Sequence, residues 1–247
     1  MPTRLKHVGF ALAAAMTTLA AGAAALLGET AAGPNSPPPA NAIVLFNGEN
    51  QDAWLSQTYK KWEESDGPAD WKITDAGALE VVPNAGSLIS RKKFGDFTFH
   101  FEFRLPRGDI NGGVFLLARY EFGIKGSSEM PQGLACGSFE NLKKPVRPRG
   151  NMLSPPDEWQ TVDIEFQAPR FDQRDRVTAN ARATVRLNGV LIHDDVELGD
   201  RKGAAKRLGD ARTGPIMLQD HGQAYQFRNI WIADRQTPNE SQAAGVP

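Results

Sequence analysis

The feature that most constrains the fold is a strict two-residue alternation at residues 96–105, DFTFHFEFRL. Phenylalanine occupies every second position from Phe97, and polar residues such as His100 lie between the phenylalanines. Successive side chains of a β-strand point to opposite faces, so the pattern predicts a strand with one buried face and one polar face. We expect His100, and likewise His193 after a later hairpin, to lie at the surface.

Similar strand signals recur along the chain, separated by short turns. Asn188-Gly189, between two apolar stretches, is the favoured two-residue turn of a β-hairpin. We predict further strands at residues 43–46, 79–82, 87–90, 159–168, 214–219 and 225–233. With about ten strands and no strong amphipathic helix, the sequence predicts an all-β fold, a two-sheet antiparallel sandwich.

Composition and charge narrow the class of protein. Hydrophobic residues make up 40% of the chain and charged residues 23%, as in soluble globular proteins. The net charge of -1 provides no basic field, so no nucleic-acid partner is expected. The single cysteine, Cys136, excludes an intramolecular disulfide. It lies in GLACGS without a neighbouring histidine base, and we interpret it as a small packed residue rather than a nucleophile.

The N-terminal region has the pattern of an export signal. Arg4 and Lys6 precede an uncharged, alanine-rich run at residues 8–27, and small residues follow it. This order is typical of a secretory signal peptide. An uncleaved membrane anchor is the alternative, because about twenty apolar residues can span a bilayer.

The predicted organisation therefore has four parts. They are an export segment or anchor (1–32), a Pro-rich linker (33–42), the sandwich domain (43–235) and a flexible tail (236–247). We expect a periplasmic or extracellular protein, in contact with a membrane only if the first segment is not cleaved. Within the domain, residues 125–156 are rich in Gly, Pro and basic residues and predict a long functional or disordered loop.

Polar residues cluster near the end of the domain. Asp220 and His221 close one predicted strand, and Arg228 lies inside the next. Imidazole titrates near neutral pH, and a guanidinium can hold an oxyanion. The alternatives are a polar turn at residues 220–222 and structural roles for Arg228 and Asn229.

The order of several motifs resembles the 3-keto-disaccharide hydrolase family over about residues 43–232. The motifs are LFNG before Trp54, Asn111-Gly112-Gly113, Tyr120-Glu121, EWQTVDIEFQAPRFD, LNGV, LQDHG and FRNIW. The resemblance implies a jelly-roll sandwich of the concanavalin A-like or laminin-G-like kind. It also implies an exported hydrolase that acts on an oxidised oligosaccharide or glycoside, with no certain cofactor and with a divalent metal left open.

The implied chemistry starts from a sugar with a ketone at C3, which acidifies the hydrogen on C2. A base removes this proton, an enolate forms, the group at C1 leaves, and water adds. We expect catalytic roles for Glu121, His221 as the base, and Arg228 as the stabiliser of the enolate oxygen, in one concave pocket. The expected substrate-binding residues are Asn111, Gln219 and Asp220.

The sequence also departs from the family after Tyr120-Glu121. Gly123 and Gly126 replace a glutamine and an aspartate of the family, and Cys136 stands where the family has a tyrosine. These changes favour either a different substrate or a non-catalytic carbohydrate-binding sandwich. A structural envelope module that binds a partner through residues 125–156 is a third interpretation.

The export signal predicts where the mature protein starts. We expect its first residue between Ala24 and Gly33, because small residues suited to signal peptidase lie in this range. N-terminal sequencing of protein from the exported fraction tests this. Recovery of an intact Met1 form from membranes alone would contradict cleavage.

Overall fold

The computed structural model describes residues 36–57, 64–126 and 135–235, which form sixteen strands and one short helix. The strands are β1 (Ile43–Phe46), β2 (Trp54–Gln57), β3 (Gly67–Pro68), β4 (Lys72–Ile73), β5 (Leu79–Glu80), β6 (Ser87–Ser90), β7 (Phe97–Arg104), β8 (Ile110–Leu116), β9 (Tyr120–Gly126), β10 (Trp159–Gln167), β11 (Arg170–Phe171), β12 (Val177–Ala179), β13 (Ala181–Leu187), β14 (Val190–Leu198), β15 (Met217–Leu218) and β16 (Gln226–Asp234). The helix is α1 (Gly203–Arg207). The predicted export segment and tail lie outside the described residues.

The strands form two antiparallel sheets. The large sheet has eight strands in the order β14-β13-β10-β7-β16-β5-β4, and β1 also pairs with β16. The small sheet has six strands in the order β3-β2-β6-β15-β8-β9, and β11 and β12 form a separate pair. The predicted two-sheet sandwich is confirmed. Within the part of the chain that the structure describes, no helix is long and apolar enough to cross a membrane.

The apolar core lies between the two sheets. The phenylalanine face predicted for residues 96–105 is fully buried at Phe97, Phe99, Phe101 and Phe103. Across the core, the ring of Phe101 meets Phe122 of the small sheet edge-on, with 6.0 Å between centroids. Buried aromatic rings supply much of the free energy of such cores, at roughly 150–250 Å² of buried surface each.

The hairpin at Asn188-Gly189 is also confirmed. Both residues have positive φ, 52° and 77°. A two-residue turn needs these angles to match the right-handed twist of the strands that it joins. It joins β13 to β14, where Leu187 pairs with Val190.

Both histidines expected at the surface are buried, so that prediction is wrong. The polar face of β7 is itself covered: His100 stacks on Trp231 with 4.9 Å between centroids, and its Nδ1 lies 2.7 Å from Oδ1 of Asp163. His193 lies under the loop that follows β9, with Nε2 2.7 Å from the carbonyl oxygen of Gly137. The alternation of residues along a strand does not show which loops and side chains cover the outer faces of the sheets.

The described part of the predicted loop 125–156 packs against the sandwich edges. Gly123 of β9 donates its N–H to Ser138 O at 2.9 Å, and Gly137 donates to Gly123 O at 2.8 Å. On the other sheet, Arg149 donates to Ile192 O of β14 at 3.1 Å. β9 and β14 are the last strands of their sheets, so this segment covers two otherwise open edges.

Gly112 in β8 makes room for a buried tyrosine. A Cβ at this position would lie 2.9 Å from Cε1 of Tyr225 and closer still to its hydroxyl oxygen. That hydroxyl donates to Gln219 O at 2.6 Å, which ties β16 to the end of β15. A side chain at residue 112 would break this contact.

The substitution Gly112→Ala is expected to destabilise the protein by about 1–3 kcal/mol, the usual range for overpacking a core. Gly199→Ala is the matched control, because only Asn180 Nδ2, at 3.9 Å, approaches its added Cβ. Urea unfolding measures both. Equal stabilities of the two variants would contradict the assigned role of Gly112.

Candidate functional site

The candidate site lies on the face of the small sheet that points away from the core. In β8 and β9 the residues Val114 and Phe122 point into the core, so the alternate residues point outward. Gly113 pairs directly with Gly123 in this ladder. Two adjacent strand positions on the outward face therefore carry no side chain of their own, and we call them the glycine gap (Gly113 and Gly123). Neighbouring side chains bury both glycines.

Three acceptor oxygens surround the glycine gap. A Cβ at Gly113 would lie 3.3 Å from Oε1 of Gln219 and 3.3 Å from Oε1 of Glu121. A Cβ at Gly123 would lie 2.7 Å from Oε1 of Glu140. Among the described residues, the Oε1 atoms of Gln219 and Glu140 are buried without a hydrogen-bond partner. Buried acceptors of this kind are costly unless a donor meets them, so the gap suits a ligand rich in hydroxyl groups.

A chain of charged and polar groups runs along one side of the gap. Nζ of Lys125 lies 3.3 Å from Oε2 of Glu140 and donates a hydrogen bond to Oδ1 of Asn111. Nδ2 of Asn111 lies 3.2 Å from Nε2 and 3.3 Å from Nδ1 of the exposed His221. A cation, an amide and an imidazole thus follow one another from the partly buried end of the site to solvent.

Glu121 is a carboxyl group prepared for proton transfer near neutral pH. Burial, and then the negative charge of Glu140, raise its pKa to about 7, against the opposing charges of Lys125 and Lys202. A group whose pKa lies close to the working pH is the most efficient general acid or base. Its Oε1 borders the glycine gap, 3.3 Å from the position of an added Cβ at Gly113.

A family model matches residues 41–233 of the chain, and it describes a 3-keto-alpha-glucoside-1,2-lyase-like domain. The chain belongs to this family. The resemblance inferred from the motifs is therefore confirmed. A search of curated protein sequences found no match to the chain.

Solved structures agree with this assignment. A candidate glycosyl hydrolase from Parabacteroides distasonis is 30% identical with a TM-score of 0.67, and the match covers 81% of this chain and 86% of that one. Two further candidate glycosyl hydrolases of the same organism are 15% and 19% identical, with TM-scores of 0.57 and 0.55. Their matches cover 79% and 78% of this chain and 95% and 99% of theirs, and they show the fold alone.

The structure explains two departures from the family pattern. The carboxylate of Glu140 occupies the space above Gly123 that a side chain at residue 123 would fill. An added Cβ at Gly126 would lie 2.9 Å from Cδ1 of Leu105. The third departure, Cys136, is buried as predicted, and burial raises the pKa of its thiol to about 12, which leaves it unreactive.

Motif analysis missed Lys125 and Glu140. Lys125 is outward-facing by its alternation with Phe122 and Ile124, so the strand pattern contained the signal for it. Glu140 comes from the loop after β9, and no local spacing in the sequence connects it with the site.

The structure does not bring Arg228 to this site, so that part of the predicted pocket is wrong. Nε of Arg228 donates to Oε2 of the buried Glu102 at 2.8 Å, on the outer face of the large sheet. The guanidinium also lies 4.2 Å from the ring centroid of Trp159. A bulge between Arg228 and Trp231, with Asn229 at a φ of 47°, interrupts the alternation on which the pocket prediction relied.

Asp220, which was predicted to bind substrate, makes hydrogen bonds that hold the local backbone. Its side chain is buried, Oδ2 accepts from Gly86 N–H at 3.1 Å, and Oδ1 accepts from Gly222 N–H at 2.8 Å. These bonds hold the turn that presents His221, as the polar-turn alternative proposed. The remaining predicted residues, Asn111, Gln219, Glu121 and His221, lie together on the small sheet.

The described residues contain no group of three or more His, Cys, Asp or Glu side chains that could hold a metal ion.

Arg228→Ala is expected to lower the free energy of unfolding by on the order of 3 kcal/mol, because Glu102 loses its cation inside the protein. Arg149→Ala, which removes an exposed pair with Asp194, is the control and should cost less than about 1 kcal/mol. Chemical denaturation measures both. A folded, stable Arg228→Ala protein with a large loss of turnover would instead return Arg228 to the catalytic group.

Proposed function

We propose that the protein is an exported enzyme that cleaves 3-keto-glycosides by elimination and hydration. The observation that carries this proposal is the convergence of Glu121, Lys125, Asn111 and His221 around the glycine gap. The site combines a proton acceptor, a cation and an imidazole, which are the groups that enolate chemistry needs. Membership of the 3-keto-alpha-glucoside-1,2-lyase-like family supports the substrate class.

Glu121 takes the proton from C2 of the sugar. It lies at the partly buried end of the site, where its raised pKa makes it a base that is ionised only at neutral pH and above. A carboxylate in a desolvated site is also a stronger base than one in water. This assignment moves the role of base from His221, which is exposed at the outer end of the site.

Lys125 stabilises the negative charge that develops on the C3 oxygen. Its ammonium group is held between Glu140 and Asn111, close to the gap. A fixed cation in a site with little water lowers the free energy of an enolate more than it does in bulk solvent. Lys125 therefore takes the role that the sequence assigned to Arg228.

His221 donates a proton to the glycosidic oxygen as the C1 bond breaks. Its ring is exposed, as suits a group that meets the leaving part of the substrate at the solvent side. Nδ2 of Asn111 positions the ring at 3.2 Å from Nε2. Water then adds to the unsaturated sugar, and the net reaction is hydrolysis.

A purely binding role has less support. Sugar-binding surfaces use exposed aromatic rings as stacking platforms. Of the tryptophans in the described ranges, Trp54 and Trp71 are buried in the core, and Trp159 and Trp231 belong to the large sheet. The glycine gap is bordered instead by acceptors and a cation.

We expect Glu121→Gln to reduce turnover of a 3-keto-glucoside by roughly 10²–10⁴-fold, the usual contribution of a general base. His221→Ala should reduce it by about 10²-fold with the fold intact, because an exposed turn residue adds little to the core. For the wild type, the acid limb of the kcat/KM profile should have its midpoint near 7, since Glu121 must be ionised.

The assay compares 3-keto-glucosides with the parent glucosides, with and without divalent ions. Glu165→Gln is the control, because this glutamate is partly exposed on the outer face of the large sheet and forms an exposed ion pair with Arg235. Unchanged turnover in Glu121→Gln, or no turnover of any 3-keto-glycoside by the wild type, would overturn the proposal.

A further inference from the structure

Glu140 reaches the candidate site from outside the β8–β9 pair. The loop that carries it is fixed to β9 on both sides of the residue. On one side, Gly123 N–H donates to Ser138 O at 2.9 Å. On the other, Asn141 accepts from Glu121 N–H at 3.1 Å and donates to Arg119 O at 2.5 Å. The backbone that carries Glu140 is therefore fixed against β9.

The observed position of the Glu140 carboxylate and a side chain at residue 123 compete for the same space. An added Cβ at Gly123 would lie 2.7 Å from Oε1 and 3.2 Å from Cδ of Glu140. Contacts below about 3 Å do not occur for real Cβ atoms without a shift, so one of the two groups must move. Gly123 and Glu140 therefore form one structural unit. The loop places the carboxylate of Glu140 over β9, where Gly123 leaves room for it.

Burial of the Glu140 carboxylate costs desolvation free energy. Its side chain is only 15% exposed and that of its partner Lys125 only 12%. One oxygen, Oε2, pairs with Lys125, whereas Oε1 is buried without a hydrogen-bond partner among the described residues. A largely buried ion pair adds little net stability to a fold, so its presence at the edge of the gap points to a role in the site.

We propose that Glu140 is a positioning residue of this site, which holds Lys125 beside the glycine gap and acts through its negative charge on the protonation of Glu121. The inference rests on the proposed function for its catalytic meaning, but the coupling between the two carboxyl groups can be measured without any substrate.

The direction of the coupling follows from the charges that face Glu121. These are Glu140 from the loop, Lys125 from the same strand and Lys202 from the start of α1. Removal of the negative charge at Glu140 stops its repulsion of the ionised Glu121. It also leaves Lys125 without its counter-ion, so the attraction of Lys125 for Glu121 increases. Both effects favour the charged form of Glu121.

Glu140→Gln should therefore lower the pKa of Glu121 by on the order of one unit, the usual size of such a charge interaction. Carbon-13 NMR of the glutamate carboxyl groups measures this, with the Glu121 signal identified by its loss in Glu121→Gln. The control Glu165→Gln should leave the midpoint unchanged. In the active enzyme, the acid limb of the kcat/KM profile should move to lower pH by the same amount.

A second variant tests the same coupling by a change at residue 123 instead of residue 140. Gly123→Ala should push the flexible carboxylate of Glu140 away from the gap and lower the Glu121 midpoint in the same direction as Glu140→Gln. The double variant should show no further shift, because the displaced charge is already absent. Lys125→Met should move the midpoint upward, which fixes the sign of the effect.

The outcomes separate this inference from the proposed function. A Glu121 midpoint that stays the same in folded Glu140→Gln and Gly123→Ala proteins would overturn the role of Glu140, even if the enzyme is active. A shifted midpoint in a protein without turnover of 3-keto-glycosides would support the coupling and overturn the proposed reaction. A lower melting temperature with an unshifted midpoint would assign Glu140 a purely structural role.

Discussion

Seven consecutive residue pairs join β8 to β9, from Ile110 with Gly126 to Leu116 with Tyr120. This register sets the core and the candidate site at the same time. It sends Val114 and Phe122 into the sandwich and places Gly113 opposite Gly123 on the other face. A shift of one residue would exchange the two faces, so the large apolar side chains that stabilise the sandwich also fix the position of the gap. The precision of the site is therefore derived from core packing, which tolerates little displacement.

The sandwich has polar clusters on both outer faces, and the two clusters differ in the ion-pair and hydrogen-bond partners of their charged groups. On the large sheet, Arg228 lies 2.7 Å from Glu102, and His100 lies between Asp163 and the amide of Asn229. Direct pairing of this kind favours a structural role, although Oδ2 of Asp163 is buried without a hydrogen-bond partner among the described residues. On the small sheet, Oε1 of Gln219 and Oε1 of Glu140 lie beside Gly113 and Gly123 and have no hydrogen-bond partner among the described residues. The residue types of the two clusters are alike, and only their partners distinguish a scaffold from a site.

The sequence predicted those parts of the protein that depend on neighbouring residues. The buried face of β7 and the turn at Asn188-Gly189 follow from local alternation and local backbone preference, and both are as expected. The predictions for His100 and Arg228 failed because they depended on what covers a strand and on a bulge within one. Glu140 was not found because its relation to Gly123 exists only in three dimensions. The sequence analysis interpreted Gly123 as the loss of a polar side chain. In the structure, the carboxylate of Glu140 occupies the space that this side chain would fill.

The proton on Glu121 links activity to the stability of the fold. Its pKa of about 7 in the folded protein compares with an ordinary value of 4.5. Between these values the folded chain holds a proton that the unfolded chain has released, so rising pH favours unfolding through this window. Above it, the ionised carboxylate costs the native state roughly 3 kcal/mol, at about 1.4 kcal/mol per pKa unit. Through this carboxyl group, mild acid stabilises the folded state by protonating the same side chain that neutral pH frees to act as a base.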